Sequence, residues 1–322
     1  MQVDSIGRRA FIACLSGAVP YYLLKDLPVV SAFEIDDSNS NVIPPDVTLS
    51  GNTIIPYVGN TELLLKQNTS TNQTYYYRNY CYVPLEMQLV FKDDNLELKL
   101  NESFGIRDGK IVTLLLPPRK PSEDASEIKA FTIEGDYVCK EAKYKIGSRN
   151  SRHDDKTTYT IPFPKGVHWR VIQGNESGRT HVGDARYCFD LVRTAGDEMS
   201  CMRAGVVYLI KEDLNEAGFS DYYKNKGNKI EVIHGDGSIA VYGHLEKDSV
   251  TRAGIKLGDE VKEGRILGRY GMTGYTSCPH LEVYVGLYKG FSGGFTPVSI
   301  KDKFKGRDEN LLPPLEEGHG GN

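Results

Sequence analysis

Leu85-Glu86-Met87-Gln88-Leu89 and Leu96-Glu97-Leu98-Lys99-Leu100 alternate apolar and polar residues without a break, the period-two pattern of strands that bury one face. Between them stands Asp93-Asp94-Asn95, whose short polar side chains hydrogen-bond to nearby backbone and favour turns. The two segments are therefore expected to pair as a hairpin. Working outward, Val112 to Leu116 and Ala130 to Cys139 are further strand candidates, and the region from about Asp46 to Lys140 reads as short strands separated by turn residues. An immunoglobulin-like β-sandwich is the expected fold of this half. It contains no constellation of chemically active side chains.

A chain of 322 residues suits two domains, each able to bury its own core. The polar stretch from Lys145 to Lys156, with Arg152-His153-Asp154-Asp155 inside it, reads as a linker. It places the first domain at 33–150 and the second at 151–303. His153 reads as a solvated loop histidine. Residues 304–322, polar and rich in glycine and proline from Arg307 onward, read as a disordered tail. No internal repeat is present. The formal net charge is -4, and the 39 lysines and arginines are scattered rather than clustered, so nucleic acid is not an expected partner.

Residues 1–32 have the shape of a signal peptide: Arg8-Arg9, an uncharged and mostly apolar stretch from Ala10 to Leu24, then Val30-Ser31-Ala32. That stretch is 15 residues long and is interrupted by Pro20, short of the ~20 apolar residues of a spanning helix. The paired arginines resemble a twin-arginine signal for export in the folded state; ordinary secretion is the alternative. Cys14 follows the arginines too closely, after Ala10 to Ala13 alone, to be a lipidation site. The expectation is an exported protein, periplasmic or extracellular, with no stable membrane span. Beyond the leader lie Cys81, Cys139, Cys188, Cys201 and Cys278 in a compartment that permits disulfides. Cys81 with Cys139 and Cys201 with Cys278 are plausible bridges, and the absence of a C-x-x-C pair argues against a thiolate zinc site.

Three segments of the second half carry chemistry together. They are Gly178-Arg179-Thr180-His181 with Tyr187-Cys188-Phe189-Asp190-Leu191, then Val241-Tyr242-Gly243-His244-Leu245, then Ser277-Cys278-Pro279-His280-Leu281-Glu282-Val283. With Gln173-Gly174, Arg203-Ala204-Gly205-Val206-Val207 and the glycine-rich run from Gly254 to Gly274, the ordered set resembles peptidase family M23, the lysostaphin/LytM type. The resemblance covers nearly the whole second half. It implies an all-β chain in which the sandwich is followed by an antiparallel β-sheet domain of the M23 type.

Residues two apart on a strand share a face, so His280 and Glu282 are expected to point together into the site. The resemblance implies His181, Asp190 and Glu282 as ligands of one zinc ion, with His244 and His280 in proton transfer and oxyanion stabilisation. Such a centre keeps an open position for water beside three protein ligands. Glu282 departs from the family, which has histidine there; a second carboxylate neutralises the ion's charge and tilts preference toward harder cations. Asp184 is an alternative to Asp190, while His168 and His234 read as surface residues. Singly, each site residue also has a plain structural reading: His244 as a turn histidine, Asp190 as a strand-end cap, Glu282 as an exposed strand residue.

The implied activity is metal-dependent cleavage of peptidoglycan peptide cross-links, with peptidoglycan or its peptides as partner. The rivals are a degenerate, non-catalytic relative that binds cell wall or activates another hydrolase, and an endopeptidase with a different protein substrate. The glycine-rich run also resembles biotinyl and lipoyl carrier domains, but it lacks the Met-Lys or Asp-Lys pair that such a carrier modifies; it reads as scaffold.

Overall fold

A computed structural model describes residues 47–49, 61–68, 72–92, 97–134, 137–165, 167, 169–178, 180–192, 197–224 and 226–305. The expected signal peptide at 1–32, residues 306–322 of the expected tail and His168 lie outside them. Strands dominate the regular secondary structure of the described residues. Its first half comprises β1 (Val47–Leu49), β2 (Thr61–Asn68), β3 (Asn72–Asn79), β4 (Leu85–Phe91), β5 (Leu98–Leu100), β6 (Gly105–Asp108), β7 (Ile111–Leu116), β8 (Ser126–Glu134) and β9 (Tyr137–Ile146). They form two antiparallel sheets, ordered β1-β9-β4-β7-β6 and β2-β3-β8-β5. Leu85, Met87, Leu114 and Leu116 of one sheet and Tyr75, Tyr77, Phe131 and Ile133 of the other share one core, which makes this half a sandwich.

The alternating segments are both strands, but they do not pair. The strand β4 lies between β7 and β9, whereas β5 pairs β8 in the opposite sheet. Each turns its apolar residues to the shared core from its own side, so the chain crosses between layers where a hairpin was expected. The Ala130 to Cys139 segment likewise belongs to two strands, β8 and β9, in different sheets.

The second half contributes β10 (Arg170–Gln173), β11 (Phe189–Val192), β12 (Glu198–Ser200), β13 (Gly205–Lys211), β14 (Ala217–Gly218), β15 (Lys229–Ile233), β16 (Ile239–Gly243), β17 (Glu260–Val261), β18 (Ile266–Arg269), β19 (Gly274–Tyr275), β20 (Leu281–Tyr288) and β21 (Phe295–Val298). Its main antiparallel sheet runs β10-β11-β20-β16-β15-β13-β17, with β21 pairing the later part of β20 on the flank opposite β16. The pairs β12-β18 and β14-β19 stand apart, and the latter is parallel.

Both faces of the main sheet are covered. Ala240, Tyr242, Leu281, Val283 and Val285 enter a second core, while the alternate residues Ile239, Val241, Tyr284 and Tyr288 pack against the core of the sandwich. That double burial explains the nearly unbroken apolar run of β16.

Several sequence expectations change. The stretch from Lys145 to Lys156 is laid along the second half rather than free: Gly147 bridges Lys289, and the Asp154 N–H donates to Asp236 at 3.0 Å. His153 is not solvated, since its side chain is 5% exposed and its Nε2 meets the Tyr159 hydroxyl at 2.9 Å. His234 is buried too, with Nδ1 on the Ala204 carbonyl at 3.0 Å. Phe304, at the start of the expected tail, packs on Phe189. Cys201 and Cys278 are both free thiols, so that bridge does not form: Cys201 is buried and Cys278 exposed. The side chain of Cys139 lies outside the described residues.

One buried charge ties the halves. Glu86, 1% exposed, accepts from the backbone N–H and the guanidinium of Arg149 at 2.8 and 2.9 Å and from the Phe291 N–H at 2.9 Å. Burial by itself would raise its pKa, but these donors outweigh it and hold the carboxyl below its ordinary value of 4.5. A depressed carboxylate adds stability above its unfolded pKa and loses it as pH falls through the folded value. Arg149→Ala is expected to cost about 3 kcal/mol near neutrality, because it strands a buried charge. The gap from wild type should narrow below about pH 4, as read by urea denaturation at both pH values.

Candidate active site

Three adjacent strands set out the site in one row. Asp190 of β11 stands directly opposite Glu282 of β20, and Glu282 in turn stands opposite Gly243 at the end of β16. Leu281 and Val283 point away into the second core, so alternation turns Glu282 to the other face, as the strand reading of this segment expects. His280 immediately precedes β20, His244 immediately follows β16, and His181 lies in the loop between β10 and β11.

The five residues named from the sequence come together. His181 Nε2 is 3.2 Å from Asp190 Oδ1, His280 Nε2 is 3.6 Å from the same oxygen, and His244 Nε2 is 3.5 Å from Glu282 Oε2. The rings of His244 and His280 are 4.6 Å apart. Asp184 is exposed on the turn Gly183–Ala185.

Each imidazole is oriented through its other nitrogen. His181 Nδ1 meets the Gly174 carbonyl at 2.7 Å, His244 Nδ1 the Thr273 carbonyl at 2.6 Å, and His280 Nδ1 the Cys278 carbonyl at 3.0 Å. A carbonyl only accepts, so in all three the Nδ1 carries the proton and donates it. The Nε2 atoms are left facing carboxylates. A neutral ring would there set a lone pair against an anion, so the cluster calls for protons or a cation between them. The sequence did not single out these carbonyls; Thr273 was legible only as part of the glycine-rich scaffold.

Charge follows the geometry. Burial opposes protonation of His181, but its bond to Asp190 and that residue's charge outweigh it and raise the pKa above 6.5. His244 behaves alike: burial is opposed and overcome by Glu282. The Glu282 carboxyl, which burial would raise, is lowered below 4.5 by His244. His280 goes the other way: burial, with the charge of His244 beside it, overrides the pull of Asp190 and lowers its pKa. Burial and the two nearby carboxylates push the Cys188 thiol up, which removes it as a nucleophile.

A zinc site fits part of this donor set. Zinc bonds of 2.0–2.1 Å at tetrahedral angles put neighbouring donors ~3.3 Å apart, close to the 3.2 Å between His181 Nε2 and Asp190 Oδ1. Among the described residues no three donors already close around a common point. The third candidate, Glu282, is engaged by His244 instead.

Residues 186–290 match the sequence profile of peptidase family M23. This part of the chain is similar to that family. Similar proteins include lysostaphin of Staphylococcus staphylolyticus, 36% identical over 134 residues, which are 41% of this chain and 24% of that protein. Glycyl-glycine endopeptidase ALE-1 of Staphylococcus capitis is 43% identical over 121 residues, 37% of this chain and 26% of that protein. The solved catalytic domain of lysostaphin from Staphylococcus simulans has 27% identity, a TM-score of 0.24, and coverage of 40% of this chain and 77% of that one. The chain thus spans about a quarter of the length of the curated relatives it matches. Asp190, His244, His280 and Glu282 of the M23 segment fall inside the matched stretch; His181 precedes it, and its place in the site rests on the contact with Asp190.

Without metal, the raised pKa values of His181 and His244 contribute stability that is complete below the unfolded histidine value of about 6.5 and is lost as pH rises through the folded values. Glu282, being lowered, contributes above its unfolded value and loses that contribution in acid. Chelator-treated protein is therefore expected to be less stable in alkali than at about pH 6, and His244→Gln should flatten the difference, as measured by urea denaturation across pH.

Proposed function

We propose that the chain is an exported zinc-dependent endopeptidase that cuts the peptide cross-links of peptidoglycan. The observation that carries the reading is the shared orientation of three imidazoles, each held at Nδ1 by a backbone carbonyl and each turned at Nε2 toward Asp190 or Glu282. Outer carbonyls that fix the tautomer of inward-facing histidines are the usual second layer of a metal site. The match of residues 186–290 to the M23 family and a relative named glycyl-glycine endopeptidase support peptide hydrolysis. The leader at 1–32 supports export, and no helix among the described residues is long and apolar enough to cross a membrane.

In this reading His181, Asp190 and Glu282 would hold the ion. Zinc bound there would polarise the scissile carbonyl and acidify water. His280, whose lowered pKa keeps Nε2 unprotonated near neutrality, accepts a proton from the attacking water. His244, its Nδ1–H held by the Thr273 carbonyl, presents Nε2 to the reacting groups, where its protonated form would stabilise the developing oxyanion.

Charge balance supports one dication. With His181 and His244 protonated, the two imidazolium rings neutralise the two carboxylates; one divalent ion does the same with both rings neutral. Zinc binding at about pH 6 is accordingly expected to release roughly one to two protons per ion, measured calorimetrically in buffers of different ionisation enthalpy. Affinity should fall with acidity as the raised histidines protonate.

Activity supplies the decisive test. Mature protein should carry near-stoichiometric zinc and release cleaved muropeptides, and His280→Ala should lower kcat by about 100- to 10,000-fold. Asp190→Ala should abolish metal binding. Absence of bound zinc in the natural chain, with cleavage by Glu282→His alone, would overturn the proposal in favour of a non-catalytic relative. Cleavage of protein substrates without muropeptide products would move the target away from the cell wall.

A further inference from the structure

His244 is held in a backbone conformation that its side chain disfavours. Its φ is +59°, in the left-handed region, where a residue other than glycine carries a cost and persists only where its surroundings over-determine it. What over-determines it is a buried polar knot just behind the site. Asn228, fully buried, accepts from the Leu214 N–H at 3.0 Å and donates through Nδ2 to the carbonyls of Leu214 at 2.7 Å and Leu245 at 3.2 Å. Its backbone carbonyl accepts from the Leu245 N–H at 3.1 Å. Both peptide groups of the residue that follows His244 are therefore fixed by Asn228.

Thr273, 3% exposed, closes the knot. Its hydroxyl donates to the Leu245 carbonyl at 2.9 Å and accepts from the Asn228 N–H at 3.0 Å, while its own carbonyl takes the His244 Nδ1 proton at 2.6 Å. Close approach of backbone makes this possible. Gly274 has φ +84°, and a Cβ there would lie 2.5 Å from Gly227 Cα, adjoining Asn228. Asn228 and Leu245 are thus bound directly to the loop whose carbonyl selects the tautomer of His244, and Leu214 is joined to it through Asn228.

We propose that Asn228 and Thr273 are positioning residues for His244, fixing its strained backbone and keeping its proton on Nδ1 so that Nε2 is presented to Glu282 and to substrate. The effect on turnover rests on the reading of the site as a peptidase; the effect on the ring does not.

The test uses the full mature chain, metal-free and labelled with ¹⁵N-histidine, with the His244 signals identified by their loss in His244→Gln. At a pH high enough to remove the imidazolium signal, wild type should show His244 as the Nδ1–H tautomer. Thr273→Val keeps the volume but removes the hydroxyl, and should shift the ring to a mixture of tautomers; Thr273→Ser should restore the wild-type pattern. On peptidoglycan, Thr273→Val should lower kcat by about 100-fold, the scale of a misplaced catalytic group, with KM nearly unchanged and Thr273→Ser rescuing. Asn228→Asp, which replaces the two Nδ2 donors by an acceptor at similar volume, is the second variant and should act in the same direction, so the test survives if one variant fails to fold. A folded Thr273→Val or Asn228→Asp that retains the wild-type tautomer overturns the proposal. If wild type shows no hydrolysis, the peptidase reading falls and the nitrogen signals still decide this one.

Discussion

Asp190 and Glu282 stand directly opposite one another on neighbouring strands, where Cβ atoms lie about 5 Å apart and like charges destabilise the pair. A fold that keeps this pair must bring positive charge to it. The three imidazoles that converge on the two carboxylates answer that demand, and the raised pKa of His181 and His244 and the lowered one of Glu282 are its electrostatic record. The same demand explains why the rings are tied down from behind. An imidazole that must face an anion with a defined nitrogen needs its other nitrogen satisfied, and the Gly174, Thr273 and Cys278 carbonyls do this.

The main sheet makes such a pair possible because it is stiff on both faces. Residues such as Tyr242 and Val283 fill one core, while Val241 and Tyr284 fill the other, so the strands that carry the carboxylates cannot slide without exposing apolar surface. The sandwich is part of this stiffness. Tyr284, two residues beyond Glu282 and on its face of β20, is already packed against the sandwich core, so the row of site residues ends against that half of the molecule. Glu86, reaching from β4 to the Phe291 N–H, fastens the same edge.

The histidines, by contrast, sit where strands end. His181 is in a loop, His244 closes β16 in a left-handed conformation, and His280 precedes β20. Rigid strands fix the anions and loop carbonyls aim the rings, a division that suits a site whose ring nitrogens must be set within a few tenths of an ångström while the scaffold stays intact.

The sequence alone determined a good deal. Period-two alternation marked β4 and β5 as strands, and the same alternation put Glu282 on the face opposite Leu281 and Val283. The ordered segments named the five residues that the structure brings together. It did not determine partnership. Alternation is a local property of each strand, whereas pairing depends on which sheet its buried face can reach, so the expected hairpin of β4 with β5 became two strands in opposite layers. For the same reason His153 and His234, polar in a polar context, were read as solvated and proved buried. The charged stretch around 150 looked like a linker because its hydrogen-bond partners, Lys289 and Asp236, lie far along the chain. The carbonyls that orient the rings, and Asn228 and Thr273 behind them, carry no signature of residue type, because any backbone has a carbonyl. Only the tertiary structure decides which one stands 2.6 Å from a histidine nitrogen.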